Sequence, residues 1–90
     1  MRLTWAKDAL NDLERIFDFN SSRSETFARR VDRRLVERAQ DLCANPHLGR
    51  PARRRNRFRL SVTDIQYVID YEPGADLIRI LSIRSTREIL

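Results

Sequence analysis

The 90-residue sequence is poor in several residue types, and each shortage excludes a class of protein. One cysteine, Cys43, excludes a disulfide framework, and the single histidine, His47, adds too few ligands for a zinc site. Two glycines and three prolines are too few for a collagen-like or disordered chain. No apolar run is long enough to cross a membrane, and the N-terminus carries no apolar signal segment. We therefore expect one cytoplasmic domain over residues 1–90, with no metal, no other cofactor and no membrane partner.

Lysine is also nearly absent, although the chain is strongly basic. The net charge is +5 and the pI is near 10.6, yet Lys7 is the only lysine among 18 basic residues. The guanidinium of arginine is a planar fork of donors that pairs bidentately with phosphate or carboxylate, as an ammonium does not. The bias towards arginine therefore indicates an anionic partner, either a nucleic acid or an acidic protein.

The first half of the chain has the periodicity of two amphipathic helices. Residues 5–19 place their apolar side chains on one face, and Thr4 is the expected N-cap. The second helix is expected from about Arg23 to Cys43, with Ser22 and Glu25 as a capping box and with Pro46 ending it. The short joint between the two predicts a helical hairpin.

The second half changes to the alternation of β-strands. Phe58, Leu60 and Val62 alternate with polar residues, and two further strands are expected at 65–71 and 77–83. Short connections make these strands an antiparallel meander, to which residues 2–4 can add a fourth strand. The predicted fold is α+β, of the order β-α-α-β-β-β: an N-terminal two-helix hairpin packed on a small antiparallel β-sheet.

The positive charge lies mainly in the second half. Residues 1–45 carry 9 basic and 8 acidic groups, whereas residues 46–90 carry 9 and 5. Six arginines and no acid lie between Arg50 and Arg59. Such a run is as compatible with a solvated loop as with a binding surface. If the helices cover the Phe58 face of the sheet, the face with Arg57 and Arg59 is open, either to RNA or to the acidic tail of a protein.

Acid–base or nucleophilic chemistry has little support in the sequence. His47 reads as an exposed loop residue and Cys43 as a buried structural thiol with no basic neighbour. The four carboxylates of the meander form no recognisable catalytic pair: Asp64, Asp70, Glu72 and Asp76.

The order of these features resembles the ParE/RelE superfamily of toxins from type II toxin–antitoxin modules. The resemblance covers nearly the whole chain and depends most on the loop Pro46–Pro51, which reads Pro-His-Leu-Gly-Arg-Pro, and on the strand Tyr67–Tyr71, which reads Tyr-Val-Ile-Asp-Tyr. Further matches are Trp5 with Ala6, the Asp12–Leu13 pair, and the strand 78–83 with Arg84 and Arg87 after it. The resemblance implies the same helical hairpin on a small sheet.

The superfamily divides by target. RelE-like members cut messenger RNA on the ribosome with basic and aromatic residues, and ParE-like members inhibit DNA gyrase without that residue set. In many members the last strand ends in a histidine, where this chain has Arg84, and the central strand of the nucleases begins Tyr-Arg, where this chain reads Gln66-Tyr67. These departures favour a ParE-like toxin that has no catalytic residue and is neutralised in a hetero-oligomer with a cognate antitoxin.

The residues expected to contact the target or partner are all arginines: Arg53, Arg54, Arg55, Arg59, Arg84 and Arg87. The alternative is a ribosome-dependent endoribonuclease, in which Arg59, Arg84 and Arg87 neutralise the scissile phosphate of messenger RNA. Tyr67 then stacks on a base. A third alternative is an inactive member of the family that survives only as a binding partner.

Overall fold

Two antiparallel helices cover one face of a five-stranded sheet. The computed structural model describes the backbone of residues 1–89 and the side chains of residues 1–87. The elements follow in the order β1 (Arg2–Trp5), α1 (Lys7–Ser21), α2 (Glu25–Ala44), β2 (Arg50–Pro51), β3 (Phe58–Val62), β4 (Tyr67–Pro73), β5 (Leu77–Ser85) and a 3₁₀ turn (Thr86–Ile89). The predicted α+β architecture is confirmed.

The sheet has the strand order β1-β5-β4-β3-β2 and is mixed. Strands β2 to β5 are antiparallel, as the meander predicts, whereas β1 lies parallel to β5. The helical hairpin between β1 and the meander provides the long crossover that a parallel neighbour needs. β2 is a two-residue edge strand that the sequence did not predict, since Arg50 and Pro51 have no alternation of their own.

Both predicted helix starts were wrong by two residues. Thr4 pairs with Arg79 in β1, so α1 begins only after Ala6, which has no side-chain cap. α1 also continues to Ser21, and the Ser22 hydroxyl therefore bonds the Phe19 carbonyl instead of capping α2. Ser24 is the true N-cap of α2, because its hydroxyl accepts a hydrogen bond from the Phe27 N–H at 3.2 Å.

The core lies between the helices and the inner face of the sheet. The core residues of α2 recur at every third or fourth position, and those of β3 to β5 lie on the strand face towards the helices. The following core residues are essentially inaccessible to solvent: Val31, Leu35, Ala39, Leu42, Val62, Ile69, Ile78, Ile80 and Ile83. Two residues expected on the apolar helix faces, Leu10 and Phe27, are instead 52% and 43% exposed. Strand β4 begins at Tyr67 and not at Ile65, because residues 63–66 form a turn in which Gln66 has a φ of +63°.

Tyr71 holds the loop between α2 and β2 against the helix side of the sheet by two hydrogen bonds. Its fully buried hydroxyl donates to the Pro46 carbonyl at 2.8 Å and accepts from the Gly49 N–H at 2.9 Å. Gly49 allows this approach, since a Cβ there would lie 2.7 Å from the Arg59 carbonyl oxygen. Burial raises the pKa of the Tyr71 hydroxyl above its usual 10.0, and the Gly49 hydrogen bond opposes part of that rise.

Replacing Tyr71 by phenylalanine leaves the Gly49 N–H and the Pro46 carbonyl without their partner. We expect Y71F to lower the free energy of unfolding by about 1–3 kcal/mol, measured by urea denaturation. The control is Y67F, because among the described side chains the Tyr67 hydroxyl accepts a single, longer hydrogen bond, 3.3 Å from the Asn20 amide. A Y71F loss no larger than that of Y67F would contradict the role given to Tyr71.

The raised pKa of Tyr71 also predicts a pH dependence. The folded state favours the protonated hydroxyl, so this stabilisation is complete below the unfolded pKa of 10.0 and is lost as the pH rises through the folded value. We expect the wild-type unfolding free energy to fall above pH 10 more steeply than that of Y71F. Parallel slopes in denaturation curves between pH 9 and 11 would contradict this.

Candidate functional site

The face of the sheet that the helices leave uncovered carries an open groove of about 680 Å³, here called the sheet groove. Charged residues of β3, β4 and β5 form its centre, and the loop 52–57 forms one wall. The apolar part of its lining comes from Pro51, Ala52, Phe58 and Leu81. The groove therefore combines charge with apolar surface, as protein-binding grooves do.

Asp70 lies at the centre of the sheet groove and pairs with two of the predicted arginines. Arg59 Nε lies 3.0 Å from Asp70 Oδ1, and Arg84 Nη2 lies 2.9 Å from Oδ2. The Ser82 hydroxyl donates a third hydrogen bond to Oδ2 at 2.9 Å. The Asp70 side chain is only 16% exposed, so these are partly desolvated, charge-assisted bonds.

Strand register explains why these four residues meet. Arg59 and Ser82 lie directly opposite Asp70 on the two neighbouring strands. Between β4 and β5 the pairing slips at Leu81, since Asp70 pairs with Ser82 but Tyr71 pairs with Ile80. This bulge inverts the alternation of β5, so that Ile83 faces the helices while Ser82 and Arg84 face the groove.

The arginine loop between β2 and β3 is anchored at its base and exposed at its tip. The Arg57 guanidinium pairs with Glu72 at 3.0 Å, and the Asn56 amide donates to the Pro73 carbonyl. At the tip, Arg53, Arg54 and Arg55 are exposed, and no carboxylate among the described side chains pairs with them. Of the arginines expected to make contacts, these three are exposed together on one loop.

Arg87 and Tyr67 lie elsewhere. Both line a depression at the end of the helical hairpin, together with Phe19 and Phe27, which are 62% and 43% exposed. The structure therefore brings Arg59 and Arg84 together but does not bring Arg87 or Tyr67 to them. Tyr67 has the β4 parity of Ile69 and Tyr71, and these side chains point to the helix side of the sheet.

His47 is exposed, as expected for a loop residue, whereas Cys43 is only half-buried and not buried as expected. His47 packs edge-on against Phe58 with ring centroids 5.1 Å apart, and Cys43 is a free, half-buried thiol near the end of α2. Among the described residues no group of acidic, histidine or cysteine side chains has the arrangement of a metal site. No described helix is both long and apolar enough to cross a membrane.

Sequence reasoning missed Asp70 and Ser82. Asp70 interrupts the apolar run Tyr67–Tyr71 of the central strand β4. A carboxylate in the middle of such a run, between two strands that carry arginine, is the signal in the sequence that points to it.

A two-helix layer on one face of a mixed five-stranded sheet defines the class as a small α+β fold. A chain of the chromosomal ParDE toxin–antitoxin system from P. aeruginosa superposes with a TM-score of 0.84 at 25% identity, covering 94% of this chain and 95% of that one. The isolated E. coli RelE toxin shares the fold at a TM-score of 0.61 and 13% identity, covering 99% and 98%. No curated protein gave a sequence match.

The family follows from the sequence itself. The profile of the ParE toxin of type II toxin–antitoxin systems, parDE, matches residues 3–90. The chain therefore belongs to the ParE toxin family, as its resemblance indicated.

We expect two arginine substitutions at the sheet groove to lower the free energy of unfolding by different amounts. Arg84→Gln removes two donors from a largely buried carboxylate, so we expect the unfolding free energy to fall by about 1 kcal/mol. Arg54→Gln removes an exposed side chain without a described partner, and we expect a change within about 0.5 kcal/mol. Equal losses for R84Q and R54Q in urea denaturation would show that the Asp70 ion pairs contribute nothing.

Proposed function

We propose that this ParE-family toxin inhibits DNA gyrase by binding it, with no active site of its own. The observation that supports binding over cleavage is the pairing of Arg59 and Arg84 with Asp70. A nuclease needs cations that are available to the scissile phosphate, and in the described centre of the sheet groove both cations are paired with the Asp70 carboxylate. Gyrase acts on DNA in the cytoplasm, which is where we expect the toxin.

Contact with the target is assigned first to the tip of the arginine loop. Arg53, Arg54 and Arg55 are exposed, and the loop that carries them is held by Arg57 and Asn56. Anchored arginines lose less conformational entropy on binding than free ones, and their charge speeds the encounter with an acidic surface. Arg87 offers a second contact at the end of the helical hairpin.

The antitoxin is the second partner that we propose. ParE toxins are one half of a toxin–antitoxin module, and the sheet groove suits an amphipathic helix or extended segment with apolar and acidic residues. Its apolar side chains would cover Pro51 and Leu81, and its carboxylates would reach the loop arginines. Such a segment neutralises the toxin in a hetero-oligomer by occupying the surface that the target needs.

A ribosome-dependent endoribonuclease is the alternative. The observation in its favour is that guanidinium groups from two strands, Arg59 and Arg84, converge on one point of the groove. A phosphate can bind at that point only if the Asp70 carboxylate no longer occupies the two guanidinium groups. Tyr67, the expected stacking residue, lies at the hairpin end and not at this point.

The test is a supercoiling assay with purified toxin and gyrase. We expect a dose-dependent loss of negative supercoiling, and unchanged supercoiling at high toxin excess would refute the proposal. Primer extension on RNA from cells that express the toxin distinguishes the alternative, because codon-phased cleavage is the product of a ribosome-dependent nuclease. Expression without any growth arrest would indicate that the protein is an inactive member of the family that acts only as a binding partner.

The arginine loop is tested with R53Q/R54Q/R55Q. We expect this variant to require about tenfold more protein for half-maximal inhibition, because it loses three exposed charges from one contact. The matched control is R29Q/R30Q/R33Q, which removes the same charge from the exposed surface of α2. Equal weakening of both variants would show that net charge, and not the loop, governs inhibition.

A further inference from the structure

The centre of the sheet groove has the form of a phosphate site that is already filled. Guanidinium groups from β3 and β5 approach one point, Arg59 on one side and Arg84 on the other, each bonded to a different oxygen of the same carboxylate. The Ser82 hydroxyl completes the set. A phosphodiester also presents two unesterified oxygens to such donors, so these three residues are the donors that would hold one.

Asp70 cannot easily leave this position. It lies in β4, which is hydrogen-bonded on both sides, and the next residue, Tyr71, is fully buried on the opposite face. Three side chains bind its two oxygens, and only 16% of its side chain is exposed. A phosphate that approaches therefore meets a fixed negative charge and two guanidinium groups that are already engaged.

We propose that Asp70 determines which class of ligand the sheet groove accepts, by occupying the place of a phosphate and so excluding nucleic acid. The groove retains apolar surface and the exposed arginines at the loop tip, which suit the carboxylates of a protein. The exclusion of nucleic acid concerns the groove alone and does not depend on gyrase. Only the identity of the favoured protein partner rests on the proposed function.

The test measures RNA binding by an Asp70→Asn variant. The probe is a fluorescein-labelled 15-nucleotide uridine RNA, followed by fluorescence anisotropy between 50 and 300 mM NaCl. We expect D70N to bind at least about tenfold more tightly than wild type at the lowest salt. One phosphate held by the two released arginines also predicts a steeper dependence of log K on log salt, by about 0.7, since each contact with a single-strand phosphate contributes roughly that amount.

Two controls separate this effect from net charge and from structure. Asp64→Asn makes the same change in charge at another arginine–carboxylate pair, where Arg34 Nε lies 2.9 Å from Asp64 Oδ2. We expect D64N to bind RNA within threefold of wild type. Asp70→Glu disturbs the same position but keeps the negative charge, and it should also stay near wild type.

The double variant D70N/R84Q identifies the groups that D70N releases. Removing Arg84 should cancel most of the gain in RNA affinity and return the salt slope towards wild type. Equal RNA affinity for D70N and D64N, or a D70N gain that R84Q leaves intact, would overturn the proposal.

Folding of each variant is checked by circular dichroism before binding is measured. Asp70→Thr is a second neutral variant, with a residue that strands favour, and it carries the same expectation as D70N. If both neutral variants unfold while D70E folds, Asp70 is a structural residue and the proposal fails. A wild-type toxin that leaves gyrase unaffected would remove the proposed function but would not change the RNA result.

Discussion

The ion pairs between Asp70 and the arginines on either side of it determine the character of the uncovered face of the sheet. Without Asp70 the centre of that face would present two guanidinium groups to solvent, one from β3 and one from β5. Because Asp70 pairs with these two guanidinium groups, the exposed positive charge of this face lies at the tip of the arginine loop. A protein with a net charge of +5 thus keeps a net charge of only +1 among Arg59, Arg84 and Asp70 at the centre of the groove.

Strand β4 connects this groove to the rest of the molecule, because its consecutive residues serve opposite faces. Asp70 organises the groove, and Tyr71 on the other side binds the loop that leads from α2 to β2. That loop in turn leads into the arginine loop, whose base is held by Glu72 and by the Pro73 carbonyl, again from β4. One central strand therefore positions both the paired arginines and the loop that carries the exposed ones.

Sequence reasoning recovered what local periodicity determines: two amphipathic helices, three antiparallel strands and an arginine-bearing outer face at Arg59. The predictions were wrong where pairing between strands that are distant in sequence determines the structure. Thr4 looked like a helix cap because nothing local shows that β1 pairs with β5. The bulge at Leu81 could not be read from β5 alone, and it is what turns Arg84 towards Asp70. The residues predicted for the site are therefore divided in space, with Arg87 and Tyr67 at the hairpin end.

We propose that this toxin binds a protein and not a nucleic acid through the sheet groove and its arginine loop. Co-sedimentation of the labelled wild-type toxin with purified gyrase and, separately, with ribosomes carrying messenger RNA measures this most directly. We expect saturable association with gyrase and none with the ribosome. Saturable binding to programmed ribosomes, with none to gyrase, would contradict it.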